Sequence, residues 1–266
     1  MPDPTTLKNP PVVQMMLTVQ FQQPLESLTM IDVVGVYDQF RSRYPVFQQV
    51  PIASKLVVQA VPRTGKEEVE SSALPRVMMS TEDLEFSCLL QTDRFSVSWS
   101  RQLPLNEPCS YPGFAAMLQS LEAELSSVVQ WFATHNYPDL SPDVIELAYK
   151  NAFLIDVDGA SRSVNDIFTF FKNPRGIGMS AFSTTWIEPL REDSQAPEDL
   201  SGTITVTSGS GIGPDGDRVL LFNLTGLRNA RSRSWNHLAA SYSSLHDKML
   251  DVFAGSIVPP ARETVQ

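Results

Sequence analysis

Apolar and polar residues alternate along several segments of the chain, as they do in strands that bury one face. The clearest segment is 12–22, where the odd-numbered positions are apolar and most of the even-numbered positions are polar. Residues 84–91 and 95–100 alternate in the same way, and Thr92-Asp93 between them predicts a hairpin. Further strands are predicted over residues 55–61, 76–80, 143–155, 178–187, 202–208 and 218–224.

A step of three or four residues between apolar positions predicts helices elsewhere in the chain. Two of these helices are long, and each carries one apolar stripe. The stripe of helix 113–134 comprises Phe114, Met117, Leu118, Leu121, Leu125, Val128 and Phe132. The stripe of helix 232–254 comprises Trp235, Leu238, Tyr242, Leu245, Met249 and Val252. Shorter helices are predicted over residues 29–43, capped by Thr29 or Ser27, and over residues 164–171, capped by Asn165 or Ser163.

The elements run in nearly the same order twice, and this order predicts the fold class. Residues 1–137 are expected to form a first β-α-β(4)-α half, and residues 138–266 a second β-α-β(3)-α half. An antiparallel sheet with one solvent-facing side needs apolar cover on its other side, which a long helix with one stripe provides. We therefore predict an α+β protein whose two halves form an antiparallel sheet packed on two long helices, a helix-grip-like duplication. The halves are either separate domains or one continuous domain.

The composition is that of an ordinary globular protein, with 42% apolar and 19% charged residues. The formal net charge of -10 disfavours broad binding to phosphate backbones, so nucleic acid is not an expected partner. No apolar run approaches the roughly 18 residues of a membrane-spanning helix, and residues 1–10 lack the apolar core of a signal peptide. We therefore expect no membrane association and a cytoplasmic location. The two cysteines, Cys88 and Cys109, make neither a disulfide framework nor a zinc site.

Three motifs that suggest ligand chemistry lack a feature that the chemistry requires. Residues 209–216 are rich in glycine, but a strand rather than a helix follows them, which predicts a hairpin turn instead of a phosphate loop. Residues 156–158 begin like a calcium loop, but its twelfth position is Ile167 rather than a glutamate. His237 and His246 lie on opposite sides of one helix and cannot share a metal ion. Since no Ser-His-Asp or Cys-His set can be assembled from spacing either, we predict no metal, no cofactor and no catalytic residue.

Asn151 is the most unusual residue of the predicted strands. It shares a face with Tyr149 and Phe153, and a buried amide without a hydrogen bond costs about 1–3 kcal/mol. The amide therefore either makes a structural hydrogen bond to a neighbouring loop or serves as a polar anchor in a groove. A ligand pocket would be lined by Tyr149, Asn151, Trp99 and Trp186.

Three arginines form a second candidate site. Arg228, Arg231 and Arg233 cluster at the start of the last predicted helix, where positive charge opposes the helix dipole. An anionic partner would relieve this repulsion, so the cluster is either a solvated turn or a binding site for a phosphate or an acidic protein surface.

Four stretches of the chain carry a resemblance to a known family. They are NPPVVQMMLTVQF at residues 9–21, DRFSVSW at residues 93–99, YPGF at residues 111–114 and LAYKN at residues 147–151. In order and spacing they resemble a sporadically distributed family of uncharacterised bacterial proteins with an N-terminal NPPVV-type strand motif and a Tyr-x-Asn motif. That family usually has Glu where Gln14 stands and Arg where Ala148 stands, so a contact shared by those two residues would be missing here. The resemblance implies no established activity, and the patchy distribution implies a bacterial defence or mobile-element context.

These patterns favour a non-enzymatic binding or partner-regulating protein with another protein as its partner. The contact surface would be the concave sheet face or the groove beside the long helices. The alternative is a small-molecule-binding or hydrolytic pocket in a helix-grip cavity. A third possibility, nucleic-acid binding through the arginine cluster, fits poorly with the net charge. The oligomeric state is left open by the sequence.

Overall fold

A computed structural model describes residues 10–59, 74–157, 160–170, 182–191, 200–213, 216–230 and 235–258, and within them nine strands form one antiparallel sheet. The strands of the chain are β1 (Val12–Phe21), β2 (Val46–Val50), β3 (Arg76–Ser80), β4 (Phe86–Gln91), β5 (Arg94–Ser100), β6 (Pro142–Leu154), β7 (Asp156–Val157), β8 (Ala160–Ser161), β9 (Ser183–Leu190), β10 (Gly202–Ile212) and β11 (Arg218–Asn229). The helices are α1 (Met30–Phe40), α2 (Gly113–Thr134), α3 (Val164–Ile167) and α4 (Leu238–Ser256). The strands of the large sheet are ordered β2-β3-β4-β5-β1-β6-β11-β10-β9, and β7 pairs only with β8.

The two central strands of the sheet come from opposite ends of the sequence. β1 pairs with β6 over almost its whole length, with Leu17 opposite Leu147 and Val19 opposite Ile145. All four of these residues are buried, because their apolar positions alternate in register and point to the same side. The pairing of β1 with β6 unites two groups of strands in a single sheet. Strands β2, β3, β4 and β5 lie on the β1 side, and strands β11, β10 and β9 lie on the β6 side.

The predicted fold class is therefore wrong. We expected an α+β protein made of two β-α-β(3–4)-α halves on two long helices, in a helix-grip-like duplication. The molecule is instead mainly one nine-stranded antiparallel sheet, and only 28% of it is helical. The repeated order of elements misled the prediction, because strands of the two halves pair with one another at the centre of the sheet.

One face of the sheet carries the main hydrophobic core, in which buried residues of α1, α2 and α4 take part. α2 contacts β5 and β1, and α4 contacts β11 and β6. The hydroxyl of the fully buried Tyr242 on α4 donates a hydrogen bond to the carbonyl of Thr18 on β1, at 2.6 Å. This bond ties the last helix to the first strand, and with it the two ends of the described chain.

The boundaries of the individual helices and strands test the local predictions. α2 occupies the predicted residues, and Thr29 caps α1 by exchanging hydrogen bonds with Asp32. α4 begins at Leu238, later than predicted, after a turn of 3-10 helix over Trp235–His237. The strand predicted over residues 55–61 is wrong for its described part, since residues 51–59 contain neither helix nor strand. Residues 60 and 61 and the start of the strand predicted at 178–187 lie outside the described residues.

Candidate functional site

A narrow cleft opens on the helix side of the sheet, between the start of α2, the middle of α4 and the strands β6 and β11. It offers about 30 Å³ of free space. Its walls are formed by Pro10, Pro11, Val12, Tyr111, Phe114, Tyr149, Asn151, Leu224, His246, Met249, Leu250 and Phe253. A volume of this size holds about one water molecule, whereas pockets for drug-sized ligands run to about 300 Å³ or more.

Three side chains in the wall of the cleft form a polar and aromatic contact. The Tyr149 hydroxyl and Nδ1 of His246 are 2.9 Å apart and share a hydrogen bond. The ring of Phe114 lies parallel to the His246 imidazole, with 4.0 Å between the ring centroids. The contact joins α2, α4 and β6, so the only histidine in the cleft wall is held in place by neighbours on two other elements.

The predicted candidate Asn151 also lies in this wall, and its amide is engaged within the sheet. Only 2% of the residue is exposed, and its Nδ2 donates a hydrogen bond to the carbonyl of Phe222 on β11, at 2.8 Å. The structure therefore brings Asn151 and Tyr149 together at one cleft. The hydrogen bond goes to a neighbouring strand and not to a loop, which was the partner expected from the sequence.

The two predicted tryptophans lie elsewhere. Trp99 is fully buried and packs edge-on against Tyr111, with 5.3 Å between the ring centroids. Trp186 lies on the edge strand β9, where its Nε1 donates a hydrogen bond to Glu188 at 3.1 Å and its ring meets those of Phe170 and Phe222. Neither tryptophan forms part of the cleft wall.

The arginine cluster is described only in part. Nη1 of Arg228 donates a hydrogen bond to Oγ of Ser244 on α4, at 2.8 Å. Arg231 and Arg233 lie outside the described residues. The bond from Arg228 joins the end of β11 to α4.

The opposite face of the sheet carries a line of polar side chains that sequence reasoning did not single out. Arg76, Gln91, Arg94 and Gln20 follow one another across the adjacent strands β3, β4, β5 and β1, and we call them the polar row. Gln91 pairs with Arg94, and Arg94 with Gln20, directly across the ladder. Gln91, Arg94 and Gln20 are 5% exposed or less, although no described helix packs on this face.

The segment 51–59 crosses the polar row and is held there by two glutamine side chains. Gln91 accepts a hydrogen bond from the N–H of Ala53 at 2.9 Å and donates one to the carbonyl of the same residue at 3.1 Å. Gln20 makes the same pair of bonds with Leu56, at 2.8 and 3.2 Å. Both amides therefore bind the main chain of the segment and not its side chains.

Charged neighbours fix the orientation of both glutamine amides. Nε2 of Gln20 also donates to Asp143 at 3.3 Å, while its Oε1 accepts from Arg94 at 3.3 Å. Nε2 of Gln91 also donates to Asp93 at 2.9 Å, and Asp93 forms a two-pronged ion pair with Arg94. A carboxylate can only accept and a guanidinium can only donate, so each amide has one satisfactory orientation. The fold therefore fixes the orientation of the Gln91 and Gln20 side chains, which we call the two glutamine clamps.

Glu146 and Arg76 extend this network of charges. Burial raises the pKa of Glu146, while a hydrogen bond from Thr18 and the nearby charges of Arg94 and Arg76 act in the opposite direction. Burial lowers the pKa of Arg76, and the charge of Arg94 adds to this effect. The network thus places two cations, Arg94 and Arg76, among three carboxylates, Asp93, Asp143 and Glu146, and opposite charges offset part of the cost of burial.

A second line of side chains on the same face remains partly exposed. Met16, Ala148, Thr225, Thr205 and Ile187 lie opposite one another on β1, β6, β11, β10 and β9, and we call them the uncharged row. All five are half-buried, and none belongs to the core on the helix side. Four inter-strand steps make the row about 19 Å long.

Sequence reasoning missed both rows for one physical reason. Alternation correctly separates the two faces of β1 and β5, but it does not show which polar positions meet across strands or what covers them. The one signal available was chemical. Gln20 and Gln91 lie within two residues of the end of a predicted strand, and Arg94 directly precedes the start of the next one.

Comparison of the chain with family models, with curated proteins and with solved structures finds no match. The resemblance to the sporadically distributed bacterial family therefore stays a prediction. Within the described ranges, no group of three or more His, Cys, Asp or Glu side chains converges to hold a metal ion. None of the described helices has the length and apolar character needed to cross a membrane.

Proposed function

We propose that this chain is a non-enzymatic binding protein that docks another polypeptide on the sheet face opposite α2 and α4. The observation that carries the proposal is the uncharged row. Its five side chains carry no charge and are left partly exposed over five strands, which fits the centre of a protein interface, where charged residues are depleted.

The surroundings of the row support a polypeptide as the partner. The same face already holds the segment 51–59 through its main chain, so its side chains suit contact with a polypeptide. The proposed setting is the cytoplasm of a bacterium, in a defence or mobile-element context, and it rests on the family resemblance. In that setting the bound partner would be regulated by the contact.

The test compares three forms of the tagged protein as baits in a bacterial lysate, with quantitative mass spectrometry of the retained proteins. Thr225→Arg places a long charged side chain in the middle of the uncharged row. Ser126→Arg adds the same side chain at an exposed position of α2 and serves as the matched control. Burying an unpaired charge at an interface disfavours binding strongly, so a partner should be retained by the wild type and the control and lost about tenfold or more by Thr225→Arg. Equal retention by all three forms would refute the proposal.

A small-molecule site, with or without hydrolytic chemistry, is the second candidate. The polar contact between Tyr149 and His246 in a largely apolar wall favours it. The free volume of about 30 Å³ argues against it, since a ligand would have to push the helices apart to enter. A compound that raises the melting temperature of the wild type but not of Tyr149→Phe would move this candidate to first place.

A further inference from the structure

The two glutamine clamps impose a repeat on the chain that they hold. Each clamp takes the N–H and the carbonyl of a single residue, and the two residues, Ala53 and Leu56, are three positions apart. In a β-strand, residues three apart present their N–H and carbonyl groups to opposite sides. A polyproline II chain has three residues per turn, so residues three apart present these groups to the same side.

The distance between the clamps fits the same conformation. Gln91 and Gln20 stand two strands apart, on β4 and β1 with β5 between them, which corresponds to about 9.6 Å. Three residues of polyproline II chain advance by about 9.3 Å. The segment 51–59 has neither helix nor strand, as this conformation requires.

The bound segment is held mainly by its main chain. None of its apolar side chains belongs to the described core or packs against it. The four hydrogen bonds from the clamps involve only peptide groups, which any non-proline residue can supply. A second polypeptide could therefore offer the site the same contacts.

We propose that the polar row is a recognition site for the main chain of a polyproline II segment, occupied in this structure by residues 51–59. A partner segment with non-proline residues at positions i and i+3 binds by taking the place of residues 51–59 on Gln91 and Gln20. The proposal rests on the proposed function, because it names the kind of partner that the sheet face accepts.

The experiment uses a fluorescent nonapeptide with the sequence of residues 51–59 and measures its binding to the full chain by fluorescence anisotropy. In the variant Ala53→Pro/Leu56→Pro, the internal segment lacks the two N–H groups that the clamps accept. Its release should strengthen peptide binding about tenfold or more over the wild type. Adding Gln20→Leu and Gln91→Leu to this variant should abolish the gain. Lys55→Ala changes an exposed side chain of the segment and should leave binding as in the wild type.

A matched peptide separates recognition of the main chain from other binding. N-methylation at the two positions that correspond to Ala53 and Leu56 removes both N–H donors and leaves every side chain in place, so this peptide should not bind. Equal binding of the methylated and unmethylated peptides would overturn the proposal. So would the absence of binding to a proline variant whose circular dichroism matches that of the wild type.

The wild type gives a second readout that does not depend on the folding of the variant. Excess unmethylated peptide should speed hydrogen exchange at the amides of Ala53 and Leu56, because it displaces the internal segment from the clamps. Unchanged exchange would also overturn the proposal. If the peptide fails while partner capture still depends on Thr225, this inference falls and the proposed function stands. If the peptide binds but partner capture is unchanged in Thr225→Arg, this inference stands and the docking surface of the proposed function falls.

Discussion

Gly226 offers the most direct test of how α4 lies on the sheet. It stands on β11, opposite Leu147 on β6, with its α-carbon beneath α4. A Cβ atom at this position would lie 2.8 Å from Cδ1 of Leu245 and 2.8 Å from Sδ of Met249. Leu245 and Met249 lie one turn apart on α4 and are almost completely buried, so neither can swing out into solvent. A single added methyl group therefore forces these two side chains, or the helix that carries them, to shift.

The expected magnitude of Gly226→Ala follows from two opposing effects. Overpacking a core contact costs about 1–3 kcal/mol. Replacing glycine by alanine also lowers the conformational entropy of the unfolded chain, which stabilises the fold by about 0.4–1 kcal/mol. With the middle of each range, the net loss is about 1.3 kcal/mol, or a melting temperature lower by roughly 3–5 °C for a chain of this size.

Gly255→Ala is the matched control, because it adds the same methyl group in the last turn of the same helix. An added Cβ at this position would meet no atom within 4 Å. Alanine favours the helical conformation over glycine by about 0.5–1 kcal/mol, and the gain is smaller at a helix end. Scanning calorimetry should show Gly226→Ala melting below the wild type and Gly255→Ala at or above it. A Gly226→Ala variant that melts with the control would refute the packing of α4 against β11.

Substitutions at two further positions, Glu124 and Asn151, test buried polar groups. Burial raises the pKa of Glu124, so the stability that this carboxyl group contributes is complete below its ordinary pKa of 4.5 and is lost as the pH rises through the raised value. In urea unfolding, Glu124→Gln should therefore gain stability relative to the wild type as the pH rises above 4.5, and a constant difference would contradict the pKa direction. Asn151→Asp places a carboxylate against the carbonyl of Phe222, which should cost about 2 kcal/mol or more, whereas Asn151→Leu should cost less. Equal urea midpoints for the two Asn151 variants would show that the hydrogen bond from the Asn151 side chain to Phe222 has no structural role.

Sequence signals predicted those elements whose boundaries are set by residues close together in the chain. The residues of α2 were predicted because a single apolar stripe repeats over six turns between two proline-containing loops. The start of α1 was predicted because Thr29 and Ser27, two residues that can cap a helix, precede its apolar pattern, and the structure shows that Thr29 is the cap and that Asp32 completes it. The cleft residues Asn151 and Tyr149 were predicted together for a similar reason, since alternation within one strand places both on one face.

Long-range pairing decided what the sequence could not predict. The partner of β1 on one side is β6, which follows more than 120 residues later in the chain. The sequence of neither strand identifies the other as its partner. Proline at position 51 ends β2, and the segment that follows carries strand-like residues, such as Val57 and Val58, without joining the sheet. Its bonds go to glutamine side chains from two other strands, so its structure depends on the finished sheet and not on its own propensity.

The two rows meet on one strand, and this arrangement links the proposals. The polar row runs from β3 to β1 and the uncharged row from β1 to β9, so together they cross almost the entire sheet. Gln20 ends the first row and Met16 begins the second, four residues away on the same face of β1, about 13 Å apart. Under the two proposals, the site that holds the main chain of a bound polypeptide therefore lies beside the surface that contacts its side chains. The proposals then assign affinity without regard to sequence to the polar row and the choice between partners to the uncharged row, because only side chains differ from one polypeptide to another.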